Sequence, residues 1–181
     1  GACFMTTTML TLVVIALALV FDFLNGIHDS SNVVATMISS RALPPRVALG
    51  MTAIAEFLGP FIFGVAVAET IGGIVDSNAI SLQVLVAALG SAIVWNLLTW
   101  YLGFPSSSSH ALVGGLVGAT LAKAGGVSPI VWNGFGKILA FIVISPLVGF
   151  FMGGMLMVLV AWVFRDQTPH QANRWFRSGQ L

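Results

Sequence analysis

Two groups of polar side chains interrupt long apolar stretches, and their residue types define the chemistry open to the chain. The first is Asp22, Asn25, Gly26, His28, Asp29, Ser30, Ser31 and Asn32. Asn25, Asp29 and Asn32 offer hard oxygen ligands of the kind that hold Na⁺ or a divalent metal ion. Asp29 and Asn32 are the candidate metal pair, and Asp22 adds a second carboxylate. His28 offers an imidazole able to carry a proton. Gly26 permits an unwound backbone, and unwinding would free carbonyls to coordinate a cation. Charged groups at mid-membrane cost about 2.5–3.5 kcal/mol each on insertion scales. Such a group of residues needs partners: helices, water or ions. The plain reading is a solvated loop between two short helices, and the shortness of the apolar run before it argues against that.

The second group runs Gly103-Phe104-Pro105-Ser106-Ser107-Ser108-Ser109-His110 and leads into a stretch carrying Gly114, Gly115 and Gly118. Proline suits the first turn of a helix or the residue just before it, which places the serines at cap and first-turn positions. A helix start presents free N–H groups and a partial positive charge, the standard means of holding an anion such as phosphate. Ser107, Ser108, Ser109 and His110 would add donors without the fixed charge of a Lys or Arg, so release stays easy. The glycines make a smooth face for close helix packing. A lone serine would read as an ordinary cap; four in a row beside a histidine at membrane depth read as a site.

Between these groups lies Glu56, in the middle of an apolar run. It is either a proton or cation site or one half of an intramembrane pair. Trp95, Trp100 and Tyr101 read as an interfacial aromatic belt, and Asn96 as a cross-helix hydrogen bonder.

The elements that must carry these residues are membrane helices. Of the 181 residues, 57% are hydrophobic and 7% charged, against about 25% charged in a soluble domain. Mean hydropathy is +1.00. A soluble enzyme is excluded, and so is nucleic-acid binding, because seven Lys and Arg scattered along the chain make no basic patch. Apolar segments are continuous rather than alternating, which excludes a β-barrel. The one cysteine, Cys3, can form neither an internal disulfide nor a cluster. The pattern predicts an all-α polytopic protein of about five spans: Met9–Leu24 resuming at Val33–Ser40 as a broken first helix, Val47–Ala68, Ser81–Leu102, Ser109–Ala122 as a serine-capped half-helix, and Asn133–Phe164 as one kinked span or two arms around Pro146. A signal peptide is disfavoured for the first segment, which lacks a basic start and a small-residue exit.

Arg41, Arg46, Arg165, Arg174 and Arg177 are five of the seven basic residues and fall on one side if the N-terminus is outside; positive charge marks the cytoplasmic face. An odd number of spans means that a second copy following in the same chain would insert upside down, the plan of inverted-repeat transporters. Residues 1–165 then form one transmembrane repeat. Residues 166–181 form a polar cytoplasmic tail or the start of a linker to a second, C-terminal repeat that this chain lacks.

The two groups together resemble the inorganic phosphate transporter (Pit) family. Its Asn-Gly-x-x-Asp-x-x-Asn motif is matched by Asn25, Gly26, Asp29 and Asn32. Its Pro-x-Ser-Ser/Thr-Ser/Thr-His-x-Leu-x-Gly motif is matched by Pro105, Ser107, Ser108, Ser109, His110, Leu112 and Gly114. The stretches Glu56-Phe57-x-Gly59, Val67-x-x-Thr70-Ile71 and Trp95-Asn96-Leu97-x-Thr99-Trp100-Tyr101 are similar to the family as well. Many members carry Ala-Asn at the place of Ile27-His28; a His-Asp pair there resembles a bacterial branch regarded as proton-coupled and as moving phosphate together with a divalent metal.

The resemblance implies a secondary active transporter of the bacterial inner (plasma) membrane. It would take inorganic phosphate, with a proton rather than sodium as the coupling ion and no cofactor. In that reading Ser107, Ser108, Ser109, His110, Asn25 and Asn32 bind the anion, and Asp22, His28, Asp29 and Glu56 couple it to the cation. The rivals are a sulfate or other oxyanion permease, a non-transporting scaffold or sensor, and an intramembrane hydrolase using Ser and His.

Overall fold

The computed structural model describes residues 2–41 and 43–166, so the polar tail expected after Arg165 lies, Asp166 apart, outside the described residues. The elements are α1 (Ala2–Ser39), α2 (Pro45–Phe63), α3 (Ala66–Gly72), α4 (Leu82–Leu102), α5 (Ser108–Ala124) and α6 (Trp132–Val163). Helices α1, α2, α4 and α6 are long and apolar enough to cross a membrane. Among the described residues the expected spans, about five, are represented by these four helices and the shorter α5 of 17 residues.

The first helix corrects the sequence reading. α1 runs unbroken for 38 residues, about 57 Å at 1.5 Å per residue, and the unwound segment expected at Gly26 does not form. Unwinding inside hydrocarbon would leave backbone N–H and C=O groups to be paired elsewhere, whereas keeping a glycine in a helix costs about 1 kcal/mol. The serines of the cluster fold back on the same helix: Ser30 Oγ donates to the Ile27 carbonyl at 3.3 Å and Ser31 Oγ to the His28 carbonyl at 2.9 Å. The carbonyls offered for a cation thus stay in the helical ladder.

The break lies instead in the second segment. The expected run Val47–Ala68 stops at Phe63, and Gly64 takes a left-handed backbone with φ 76° before α3 begins. Only glycine adopts that conformation without strain. α6 settles the other open boundary: it is one 32-residue helix with Pro146 inside it.

Two compact units divide the chain: residues up to Ser31 with Phe63–Phe135, and Asn32–Ile62 with residues from Gly136 onward. The first unit is organised by α4 and α5. Ser81 caps α4, its hydroxyl accepting the Val84 N–H at 3.4 Å, and Gly103 ends it in a left-handed cap with φ 68°. The α4 face bearing Val84, Ala88, Ala92, Asn96 and Thr99 is buried, as are Val113, Leu116 and Thr120 of α5. Gly115 fixes how closely the two approach: a Cβ there would lie 2.6 Å from the Ala88 carbonyl oxygen and from Ser91 Oγ.

At the far end of the same unit two connections are stitched together. Asp76 N–H donates to the Pro129 carbonyl and Val131 N–H to the Ile74 carbonyl, both at 2.9 Å, around an isolated Val75–Ile130 bridge. Ile74, Val75 and Ile130 are buried there. In the second unit the buried residues are Val34, Ala48 and Thr52. None of the residues of α6 is buried, an apolar surface suited to lipid or further helices.

Candidate anion site at the start of α5

The α4–α5 turn builds the site. Pro105 and Ser106 lead into Ser107, whose backbone is extended (φ −102°, ψ 118°). Ser107 is the N-cap: its hydroxyl accepts the His110 N–H at 3.4 Å and its carbonyl accepts the Ala111 N–H at 3.1 Å. The serine-capped half-helix of the sequence reading is thus present, beginning at Ser108. Behind the cap, Ser106 Oγ and Thr99 Oγ1 are 2.8 Å apart, which ties the turn to α4.

Ser108 is buried and its hydroxyl donates to Asn25 Oδ1 of α1. Of all the predicted site residues, these are the two that a hydrogen bond brings together across the sequence. The bond joins the first polar cluster to the second inside one compact unit. Asn25 and Asp29, four residues apart on a continuous helix, share a face, and both are half-buried.

Ser107 and His110 line a groove of about 670 Å³ together with Ser91 and Trp95 of α4 and Gly114 and Gly118 of α5. No Lys or Arg lines it. The donors available to an anion there are hydroxyls, an imidazole and the N–H groups of Ser108 and Ser109, which by helix geometry have no intrahelical acceptor; the His110 N–H is taken by the Ser107 cap. With the positive end of the helix macrodipole these groups are of the kind that suits an anion without a fixed counter-charge.

Ser107 and His110 are the predicted site residues in the groove lining; the other candidates, Ser108 and Asn25 included, are not among the residues that line it. His28 is half-buried, while Asp22, Asn32 and Ser109 are exposed. Asn32 and Glu56 belong to the second unit, where Glu56 is exposed on α2. Among the described residues no three His, Cys, Asp or Glu side chains gather as a metal centre.

Sequence reasoning under-read α4. Trp95 lines the groove rather than serving an interfacial belt alone. Asn96 is fully buried, and neither of its amide atoms has the cross-helix partner expected of it. The available signal was the helical spacing of small and polar residues, Ala88, Ala92, Asn96 and Thr99, which marks a packed face rather than a lipid-facing one.

Four helices apolar and long enough to cross a membrane put the chain in the class of membrane proteins. Comparisons with known proteins place its family and fold among transporters rather than enzymes. The sequence profile of the phosphate transporter family matches residues 25–178, and the chain belongs to that family. It is 51% identical over 164 residues to a probable low-affinity inorganic phosphate transporter of Rhizobium meliloti (strain 1021), covering 90% of this chain and 49% of the relative. It is 47% identical to a protein of the same description from Streptomyces halstedii, covering 94% of this chain and 80% of that one. It is 36% identical to the low-affinity inorganic phosphate transporter PitA of Escherichia coli (strain K12), covering 84% and 33%. A solved structure described as the sodium-dependent phosphate transporter superposes with a TM-score of 0.81 at 28% identity, over 91% of this chain and 42% of that one. The chain thus spans about half the length of the Rhizobium relative. Family and helices together make it a multi-pass protein of the plasma membrane.

Proposed function

We propose that the chain is the N-terminal repeat of a secondary active transporter that takes up inorganic phosphate in symport with a cation. The observation that carries this reading is the hydrogen bond from Ser108 to Asn25, which joins the two polar clusters at a helix start suited to a tetrahedral anion. Ser107, Ser108, Ser109 and His110 hold the phosphate, with Asn25 and Asn32 contributing amides. Asp22, His28, Asp29 and Glu56 serve the coupling ion. Asp29 and Asn32 also provide oxygen ligands for a divalent metal carried with the phosphate. A second, inverted repeat completes the site, in keeping with the greater length of the Rhizobium relative, and the carrier works by alternating access around it.

The coupling ion is a proton in this reading, on the strength of His28 beside Asp29. A second reading, sodium coupling, is favoured by the structural neighbour, which is described as sodium-dependent. Both are tested by phosphate uptake into proteoliposomes holding this chain joined to a second repeat, under an imposed pH gradient without sodium, and under a sodium gradient at equal pH. Uptake driven by the pH gradient alone supports the proton. Uptake needing sodium transfers the coupling role to that ion. Sulfate transported equally well, or no phosphate uptake under either gradient, overturns the phosphate assignment.

A further inference from the structure

Asn96 is fully buried, and both Nδ2 and Oδ1 lack a hydrogen-bond partner. A buried amide left unpaired is costly, and a mere packing role does not explain why it is there. Its place along α4 is informative. The two helices run antiparallel: Thr99 meets Ser106 at one end of the pair, and Ala88 and Ser91 meet Gly115 further along. Between those two contacts, Asn96 falls level with the first turn of α5, on the buried α4 face shared by Ala92 and Thr99. The unpaired amide therefore lies behind the turn that carries Ser108.

We infer that Asn96 is a positioning residue for the anion site, acting through Ser108; the inference rests on the reading that phosphate binds at the start of α5. A serine hydroxyl has one proton to give. In this structure that proton goes to Asn25 Oδ1. When Ser108 turns its O–H to an anion, Asn25 Oδ1 loses its donor and the Ser108 oxygen keeps lone pairs free to accept. Asn96 Nδ2 is the spare buried donor at that level, able to pair with the oxygens left behind. The filled state is thereby favoured by a bond that never touches the ligand.

The test measures the phosphate dissociation constant and the melting temperature of the purified carrier, this chain joined to a second repeat, for the wild type, N96L, S108A and the double variant. N96L is expected to weaken phosphate binding about tenfold, the value of one hydrogen bond, without lowering the melting temperature, because two unpaired polar atoms are removed. The double variant is expected to bind no more weakly than S108A alone. Wild-type affinity in N96L, or losses that multiply in the double variant, overturns the inference. If leucine overfills the site and the protein melts early, N96A removes the amide without added volume and takes the same test. A wild-type protein that binds no phosphate overturns the underlying site assignment, and the inference with it; binding that N96L leaves untouched overturns the inference alone.

Discussion

Ser108 and Asn25, 83 positions apart, are joined by a hydrogen bond in which the serine hydroxyl donates to the amide oxygen. The bond links the two sequence motifs and gives the most direct test of the proposed anion site. Replacing Ser108 by Ala removes a donor worth roughly 1.5–3 kcal/mol toward a charged acceptor, so phosphate affinity should fall about ten- to a hundredfold. The measurement is uptake at matched expression. Undiminished uptake would show that Ser108 only braces α1 against α5.

Asp29 shares the face of α1 that carries Asn25. Asp29→Asn keeps the shape and removes the charge. Membrane insertion should survive, while uptake should collapse and lose its dependence on the coupling cation. A variant whose cation dependence matches the wild type would reduce Asp29 to a structural role.

Ser81 and Ser107 cap α4 and α5 with the same geometry, each hydroxyl accepting an N–H at 3.4 Å. Loss of either cap should cost about 0.5–2 kcal/mol of stability. The pair therefore separates capping from ligand binding. S81A and S107A should lower the melting temperature alike, but only S107A should raise the KM for phosphate. Equal kinetic effects would place Ser107 outside the anion site.

Two glycines of α5 should respond oppositely to alanine. At Gly115 a Cβ would lie 2.6 Å from the Ala88 carbonyl oxygen, whereas at Gly118 it meets nothing within 4 Å. G115A should destabilise by about 1–3 kcal/mol through overpacking, and G118A should be neutral or stabilise by up to about 1 kcal/mol. Thermal melting in detergent reads the difference, and similar melting of the two variants would mean that α4 and α5 do not pack as closely as described.

Much of this protein is decided locally and could be read from its residues. Apolar runs long enough to cross a bilayer can only be helices there, because every backbone group must be satisfied within the segment. The bounds of α4 and the outer limits of α6 follow from that, whereas the continuity of α6 through Pro146 did not. Local hydrogen bonding likewise places the start of α5, since Ser107 caps the backbone only a few residues ahead of it. Tertiary structure decided what depends on distant partners. Gly26 and Gly64 are the same residue type, yet the first stays helical and the second breaks the chain, and no local pattern separates them. Asn96 reads as one more polar residue in a span until α5 packs over it. Ser108 reads as one hydroxyl in a run of four until Asn25 reaches it from α1. Propensity and hydropathy act over a few neighbours, whereas burial and long-range hydrogen bonds exist only once the helices have come together.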